Sequence, residues 1–232
     1  GSATGTTTFT PTDDAIYEGN EGATVAISSV SGGGATESGS QSVSITITDD
    51  ESAPTVSLAA SSSSISESSA STITLTATLS QIADEAVTVS FSTSGAATSG
   101  TDYTTLSNIT IAAGDTTGTA SFSTIDDAIY EGDEVATVAI STVSGGGATE
   151  NGSQSVSITM TDNESAPTVA LSASSSSISE SSSSTITLTA TLSQIVDEAV
   201  VVSFSTSGDA TSGTDYVAIS NITIAAGSAT GT

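Results

Sequence analysis

Five carboxylates lie within nine residues, from Asp126 to Glu134, in a chain that contains no lysine, arginine or histidine. No carboxylate of this protein can therefore form a salt bridge with another side chain. If these acids converge in space, only solvent or a bound cation relieves their mutual repulsion. A near-copy of this segment runs from residue 13 to residue 21. The chemistry that these two acidic loops, residues 126–134 and 13–21, most directly indicate is the binding of a cation.

Calcium is the cation that the donor types favour. It takes six to eight hard oxygen ligands from carboxylates and carbonyls and requires neither nitrogen nor sulfur. Outside the loop, further acids fall in turns or at the end of the last strand, at Glu67, Asp102, Asp162 and Glu164. Magnesium fits less well because it keeps its waters, and zinc is disfavoured without histidine or cysteine. We therefore expect Ca²⁺ as the cofactor.

Other acids fit a simpler interpretation. Acids in loops usually form a solvated surface, and an aspartate in a turn often bonds its own backbone. We interpret four of them in this way: Asp84, Glu85, Asp115 and Glu150.

The composition excludes several classes of partner. The net charge of −26 disfavours nucleic acid and anionic membranes, which are bound through basic groups.

About a third of the residues are apolar (35%) and many are β-branched, which favours folded β structure over an acidic disordered tail. No disulfide can form because cysteine is absent, so stability must come from elsewhere, and metal binding is one such source. No apolar run approaches the ~20 residues of a membrane-spanning helix.

The chain repeats itself with a period of 113 residues. Residues 52–114 and 165–227 differ at only nine of 63 positions. This period is too long for one turn of a solenoid and suits a small β domain.

The period predicts three parts. Residues 1–51 are the C-terminal part of one repeat, residues 52–164 are a complete repeat, and residues 165–232 are the N-terminal part of another. Two explanations stay open: the chain is a window on a long array, or the front part of one subunit is completed by the back part of the next.

Apolar residues alternate with serine and threonine along the complete repeat, which is typical of half-buried strands. The alternation predicts seven strands, at residues 55–59, 72–79, 86–91, 108–111, 119–123, 136–140 and 156–160. Residues 61–64 are expected to form a loop or a crossing between sheets, and residues 144–152 a flexible hairpin connection. The fold class is therefore all-β, in tandem seven-stranded antiparallel immunoglobulin-like sandwiches.

Four segments in order carry a family resemblance: Ile65-Ser66-Glu67, Gly100 to Tyr103, the acidic loop 126–134, and Ile158 to Glu164. Together they resemble a Calx-beta domain, the calcium-binding module of sodium/calcium exchangers and of many bacterial surface proteins. The resemblance implies a seven-stranded sandwich that holds calcium at one tip. Asn163 stands where the exchangers have an acid and still offers a carbonyl oxygen.

The resemblance also implies a set of calcium ligands. In the complete repeat these are Glu67, Asp102, Asp126, Asp127, Glu131 and Glu134, with Asp162 and Glu164 closing the site. In the copies they are Asp13, Asp14, Glu18, Glu21, Asp49, Asp50 and Glu51 in the first part, and Glu180 and Asp215 in the last.

Catalysis is disfavoured by the missing residue types. Without histidine, cysteine or lysine there is no Ser–His or Cys–His nucleophile, no Schiff base and no metal–imidazole site. Two carboxylates suffice to cleave a glycoside, but sugar sites normally use aromatic platforms and this chain has no tryptophan. We predict that the protein is not an enzyme.

The repeats favour a structural role. We predict an extracellular or cell-surface segment of a stalk or filament, of adhesin or surface-fibre type, that calcium stiffens at each junction. Its partners would be neighbouring repeats or identical subunits in a linear array. The alternative is a recognition module that binds a sugar, a receptor or ice through a sandwich face or loops. The threonine row at residues 72, 74, 76 and 78 invites the ice interpretation, although threonine simply suits exposed strand positions.

Overall fold

The computed structural model describes residue 1 and residues 3–232, and the described residues form strands and no helix. No described segment is thus a helix that could span a membrane. The strands are β1 (Glu21–Ala26), β2 (Ser42–Ile47), β3 (Thr55–Ala60), β4 (Ser64–Ser66), β5 (Ile73–Leu79), β6 (Val87–Gly95), β7 (Ile109–Ile111), β8 (Thr117–Phe122), β9 (Ile129–Tyr130), β10 (Glu134–Ser144), β11 (Thr149–Glu150), β12 (Ser155–Thr161), β13 (Val169–Ala173), β14 (Leu188–Leu192), β15 (Ile195–Val196), β16 (Val200–Val202), β17 (Ile222–Ile224) and β18 (Thr230–Gly231). The prediction of an all-β fold is confirmed.

Strands β3 to β12, apart from β9, build a two-sheet sandwich, the central sandwich. One sheet has the order β4-β12-β10-β6-β7 and the other β11-β3-β5-β8. Each of the seven expected strands has a counterpart here, and the short strands β4, β9 and β11 are additional. Along β5 the burial alternates, with Ile73, Leu75, Ala77 and Leu79 buried and the threonines between them half-buried. Because successive side chains point to opposite faces of a strand, this alternation places one face of β5 against the core.

The chain crosses from one sheet to the other within residues 61–63. Strand β3 pairs antiparallel with β5, whereas β4 pairs in parallel with β12 in the opposite sheet. The crossing carries the residues after β4 to the end of β12. It therefore connects two segments of the acidic site that are about a hundred residues apart in the sequence.

The central core consists of small aliphatic side chains with one aromatic pair. The rings of Tyr103 and Phe122 stack with their centroids 4.8 Å apart, and both side chains are fully buried. Because Tyr103 directly follows Asp102, this stacked pair fixes the backbone beside a candidate ligand. Offset ring pairs of this kind add to the stabilisation that burial provides.

The two flanking parts bury much less apolar surface. In the first part, β1 and β2 form an antiparallel hairpin on which Val25 and Val43 are exposed. In the last part, β13, β14 and β18 form one small sheet and β16 pairs with β17. A minor core lies between them, formed by Ala190, Leu192, Val196, Ile222 and Ile224.

The same contact joins successive parts at both junctions. Strand β9, at the centre of the acidic loop, pairs in parallel with β15, so that Tyr130 lies opposite Val196. One period earlier, Tyr17 forms a parallel bridge with Ala83. The acidic loop of each repeat therefore contacts the repeat that follows it.

Candidate metal centre

Six carboxylates converge at one end of the central sandwich in two groups. The first triad is Glu67, Asp162 and Glu164, and the second triad is Asp102, Glu131 and Glu134. Within each triad, one carboxylate oxygen from every residue lies within 4.8 Å of the others. A small cavity touches both triads and is lined by Glu67, Asp102, Glu131, Gly132, Glu134, Met160 and Asp162.

The sheet crossing builds the first triad. Strand β4 pairs in parallel with the end of β12, with Ser66 opposite Thr161. The pairing continues one step further, because the Glu67 N–H donates to the Thr161 carbonyl at 3.0 Å. Glu67 and Asp162 therefore emerge side by side from two neighbouring strands. Glu67 is only 8% exposed, which is unusual for an acid that no cationic side chain can pair with.

The turn that holds Asp102 brings the second triad to the same end. The Asp102 carboxylate accepts the Thr98 N–H at 2.5 Å, and its carbonyl accepts the Ile125 N–H at 2.8 Å. The second of these bonds ties the turn to the residue before the acidic loop. Asp102 is also only 8% exposed. Glu134 opens β10 and lies opposite Met160 of β12, which puts the second triad beside the first.

Asp162 holds the acidic loop against the end of the repeat. One of its carboxylate oxygens accepts the N–H groups of Glu131 and Gly132, at 2.9 and 2.6 Å, and the other accepts that of Glu164 at 2.7 Å. Burial opposes the charge of Asp162, but these backbone N–H donors outweigh it and lower its pKa below the usual value. Asp49 repeats the arrangement in the first part, accepting the N–H groups of Glu18 and Gly19 at 2.9 and 2.6 Å.

The four glutamates of the two triads are destabilised as anions. Burial, reinforced by neighbouring carboxylates, raises the pKa of Glu67, Glu131 and Glu134 from 4.5 to about 7. Burial and the adjoining Asp162 also raise the pKa of Glu164. Without a counter-charge, Glu67, Glu131 and Glu134 are therefore partly protonated near neutral pH. A cation at this end would restore their charged form.

The donor set fits calcium. Both triads offer only carboxylate oxygens, the hard ligands that calcium takes. In addition, Glu164 Oε2 is buried and has no hydrogen-bond partner in the described part of the chain. An unpaired buried oxygen of this kind costs free energy that coordination to a cation would recover.

Asp126 and Asp127 lie beside the two triads but belong to neither. Both are exposed, and Asp127 Oδ1 accepts the Ile129 N–H at 2.7 Å within the loop. The Asp127 N–H also donates to Glu67 Oε1 at 3.4 Å. The charge of Asp126 contributes to raising the pKa of Glu164. The two aspartates are therefore close to the first triad, where their charges add to its repulsion.

The candidate residues of the flanking parts are brought together less completely. In the first part the loop contacts the end of the repeat through Asp49, which also accepts the Glu51 N–H. Four further candidates are exposed: Asp13, Asp14, Glu21 and Asp50. Glu18 is exposed as well. In the last part, Glu180 and Asp215 are exposed, whereas their equivalents Glu67 and Asp102 are buried. Among the described residues, only the central sandwich assembles groups of three.

Two acids outside the predicted ligand sets, Asp197 and Asp84, lie close to the acidic loop of the preceding repeat. Asp197 directly follows β15, and its charge contributes to the raised pKa of Glu134 in the preceding repeat. Asp84 acts in the same way on Glu18, and its N–H donates to the Tyr17 carbonyl at 3.2 Å. Asp84 is exposed, as expected of a surface acid. The one sequence signal for Asp84 is that it lies one repeat period, 113 residues, before Asp197. That spacing does not indicate that either residue contacts the preceding repeat.

Comparison with known proteins identifies the family. The family model described as Calx-beta domain matches residues 49–164 and 162–224. Among solved structures, the apo-form Calx CBD1 domain is similar at 16% identity, covering 47% of this chain and 99% of that chain, with a TM-score of 0.39. CBD12 from CALX1.2 is similar at 16% identity, covering 72% of this chain and 70% of that one, also with a TM-score of 0.39. No curated protein matches the chain. Since the family model covers more than half of its residues, this chain belongs to the Calx-beta domain family of calcium-binding β-sandwich modules.

Proposed function

We propose that this chain is an extracellular structural segment, part of a stalk or filament of adhesin or surface-fibre type, in which calcium stiffens the junction between repeats. One observation supports the proposal: the acidic loop carries candidate calcium ligands and also contacts the following repeat. Its residues Ile129 and Tyr130 pair with the following repeat, Glu131 directly follows that pair, and Asp127 precedes it by two positions. An ion bound to the loop therefore acts on the joint itself.

The proposed ligands are the two triads together with Asp126 and Asp127. Calcium bound between the loop and the end of the repeat would neutralise carboxylates that otherwise repel one another. It would also add to the hydrogen bonds by which Asp162 holds the loop. Because the ion binds the folded chain, stability rises with calcium concentration.

The copies of the site belong to the same proposal. The first and last parts supply the corresponding candidates, and each needs acids from the rest of its own repeat to complete it. The division into residues 1–51, 52–164 and 165–232 is likewise proposed. An array of such repeats has one ion-binding joint per 113 residues, and its stiffness would follow the calcium concentration. We infer a structural role and no catalytic one.

A distance measurement across the second junction tests the proposal. The chain has no native cysteine, so Ser153→Cys and Ser207→Cys introduce two unique sites for spin labels, both on exposed residues. We expect a narrow distance distribution in calcium and a broader one in a strong chelator, with magnesium giving little narrowing. Equal widths with and without calcium would overturn the stiffening role.

A companion variant separates the site from general ionic effects. Glu67→Gln removes a buried carboxylate of the first triad while preserving its shape. The distribution of this variant in calcium should resemble that of the unsubstituted protein in chelator. Asp115→Asn, which changes an exposed acid outside the triads, is the control and should respond to calcium normally.

A further inference from the structure

At the first joint, a run of three glycines in the central repeat lies against the acidic loop 13–21 of the first part. Gly145, Gly146 and Gly147 all have positive φ, at 91°, 51° and 59°. A Cβ atom on Gly147 would lie 2.6 Å from Cε1 and 3.0 Å from Oη of Tyr17. The ring of Tyr17 therefore packs directly against the backbone of Gly147. Any side chain at position 147 would collide with the ring.

Hydrogen bonds hold the backbone of Tyr17 against the central repeat. The Tyr17 N–H donates to the Ile82 carbonyl at 3.0 Å, and the Tyr17 carbonyl accepts the Asp84 N–H at 3.2 Å. Ala83, between these partners, is buried, and a Cβ on Gly146 would lie 2.9 Å from its Cβ. Tyr17 is thus held at its backbone by residues 82–84 and at its ring by the glycines.

The backbone of the glycine run does not depend on the tyrosine. The equivalent glycines of the first part are Gly32, Gly33 and Gly34, with φ of 88°, 63° and 74°. Apart from the neighbouring residues in the chain, no atom of the described residues lies within 4 Å of a Cβ built on any of them. The same backbone conformation therefore forms where no ring rests on it. A surface that is already shaped before binding loses little conformational freedom when it binds.

We propose that the glycine run of each repeat, together with the segment equivalent to residues 82–84, is the docking surface for the tyrosine of the preceding repeat. This surface contributes to the joint independently of the ion, and in this it goes beyond the proposed calcium function. The partner is another copy of the repeat. Tyr130 occupies the matching position at the second joint, where it pairs with Val196 and packs against the minor core.

The position of the tyrosine explains how one loop serves both contacts. Tyr130 is the residue immediately before Glu131, and Tyr17 immediately precedes Glu18. Docking of the ring thus fixes the backbone next to a candidate ligand. An aromatic side chain provides a large contact area with only two rotatable side-chain bonds, so little freedom is lost on docking.

The test places spin labels on both sides of the first joint, at Ser28→Cys and Ser92→Cys, which are exposed positions. In chelator, Tyr17→Ala should raise the population of open joints about tenfold, whereas Tyr17→Phe should leave it unchanged. Phenylalanine preserves the ring, and the described residues offer the Tyr17 hydroxyl no hydrogen bond. A distribution for Tyr17→Ala that matches the unsubstituted chain in chelator would overturn the proposal.

Two glycine variants provide the matched pair. Gly147→Ala places a methyl group against the ring, whereas Gly34→Ala introduces the same substitution at a similar positive φ into open space. Only Gly147→Ala should open the joint, and equal effects of the two would contradict a docking surface. The calcium function is read from a different comparison, that of the unsubstituted protein with and without calcium. Failure of one idea can therefore be told apart from failure of the other.

Discussion

Asp162 links the acidic loop to the end of its repeat by accepting three backbone N–H groups, from Glu131, Gly132 and Glu164. It is the acid of the two triads whose pKa is lowered, whereas the pKa values of Glu67, Glu131 and Glu134 are raised to about 7. A carboxylate has acceptors on both oxygens, and an amide has an acceptor on only one. Replacing Asp162 by asparagine therefore removes one of the two acceptor oxygens while leaving the size of the side chain almost unchanged.

We therefore predict that Asp162→Asn weakens calcium binding at least about 10- to 100-fold, the loss already typical of residues that only orient metal ligands. The asparagine NH₂ group would face backbone N–H donors and release one side of the loop. Isothermal titration calorimetry of the full chain measures the effect, with Asp115→Asn as the control. An affinity equal to that of the unsubstituted protein would refute this role of Asp162.

The raised pKa values of Glu67, Glu131 and Glu134 predict opposite effects of pH with and without calcium. A carboxyl whose pKa rises from 4.5 to about 7 on folding stabilises the fold at low pH, and this stabilisation is lost as the pH rises through about 7. In chelator, Tm should therefore fall between about pH 5 and pH 8. Calcium affinity should rise over the same range, because binding displaces the protons.

Thermal unfolding at a series of pH values, with chelator or saturating calcium, checks this prediction. The control carries Gln at all three glutamate positions, which removes the titrating groups. Its Tm in chelator should depend much less on pH in this range. A Tm in chelator that rises with pH would show that the three carboxyls are not held protonated by the fold.

At the scale of the elements, the central strand β5 carries much of the core. Leu75 is fully buried at its midpoint, whereas the repeat-equivalent Leu188 in β14 is only half-buried. The two residues have nearly the same local sequence, so their difference in burial comes from the packing of the opposite sheet. This pair separates the contribution of tertiary packing from that of sequence.

We predict that Leu75→Ala lowers the free energy of unfolding of the central sandwich by about 2–5 kcal/mol, whereas Leu188→Ala costs clearly less. The larger loss follows from the cavity that a packed core cannot close. Urea denaturation followed by circular dichroism gives both values in the full chain. Equal losses would mean that the last part is packed as tightly as the centre.

The short pairing of β4 with β12 is the element that assembles the site. It spans three residue pairs, yet it brings Glu67 beside Asp162 across the sheet crossing. Strand β9 is shorter still, and it joins the acidic loop to the next repeat through β15. The contacts that build the candidate metal site and the joint between repeats therefore lie in short strands, while the longer strands provide the core.

At the scale of the whole molecule, 26 acids and no basic side chains leave solvent ions as the main source of counter-charge. Self-repulsion opposes the compact state, most strongly where the two triads meet. In chelator, we predict that Tm rises as NaCl is increased, because the screening length falls from ~30 Å at 0.01 M to ~10 Å at 0.1 M. The calcium-saturated protein should respond less, since its most crowded acids are already neutralised.

Differential scanning calorimetry over a salt series measures both forms. Replacing NaCl by KCl is the control, because screening depends on ionic strength and not on the identity of the monovalent cation. A chelated protein whose Tm does not change with salt would contradict the view that repulsion among the acids limits its stability.

Much of the fold follows from local patterns in the sequence. Alternation of apolar residues with serine or threonine indicated seven strands that each have a counterpart in the central sandwich, because a strand turns successive side chains to opposite faces. The resemblance to Calx-beta domains is confirmed by the family match. Acids without any basic partner also indicated a cation, since the composition alone excludes neutralisation by side chains. The division into three parts and the set of ligands stay predictions.

Only the tertiary structure decided which acids meet and what the loop contacts. The grouping of Glu67 with Asp162 depends on a three-residue parallel pairing, too short to leave a periodic signal in the sequence. The contact of Tyr17 with Ala83 in the following repeat joins residues 66 positions apart, and the packing of Tyr17 on Gly147 joins residues 130 positions apart. Local composition determines strands because their period is local, whereas register and the contacts between repeats arise from packing between distant segments.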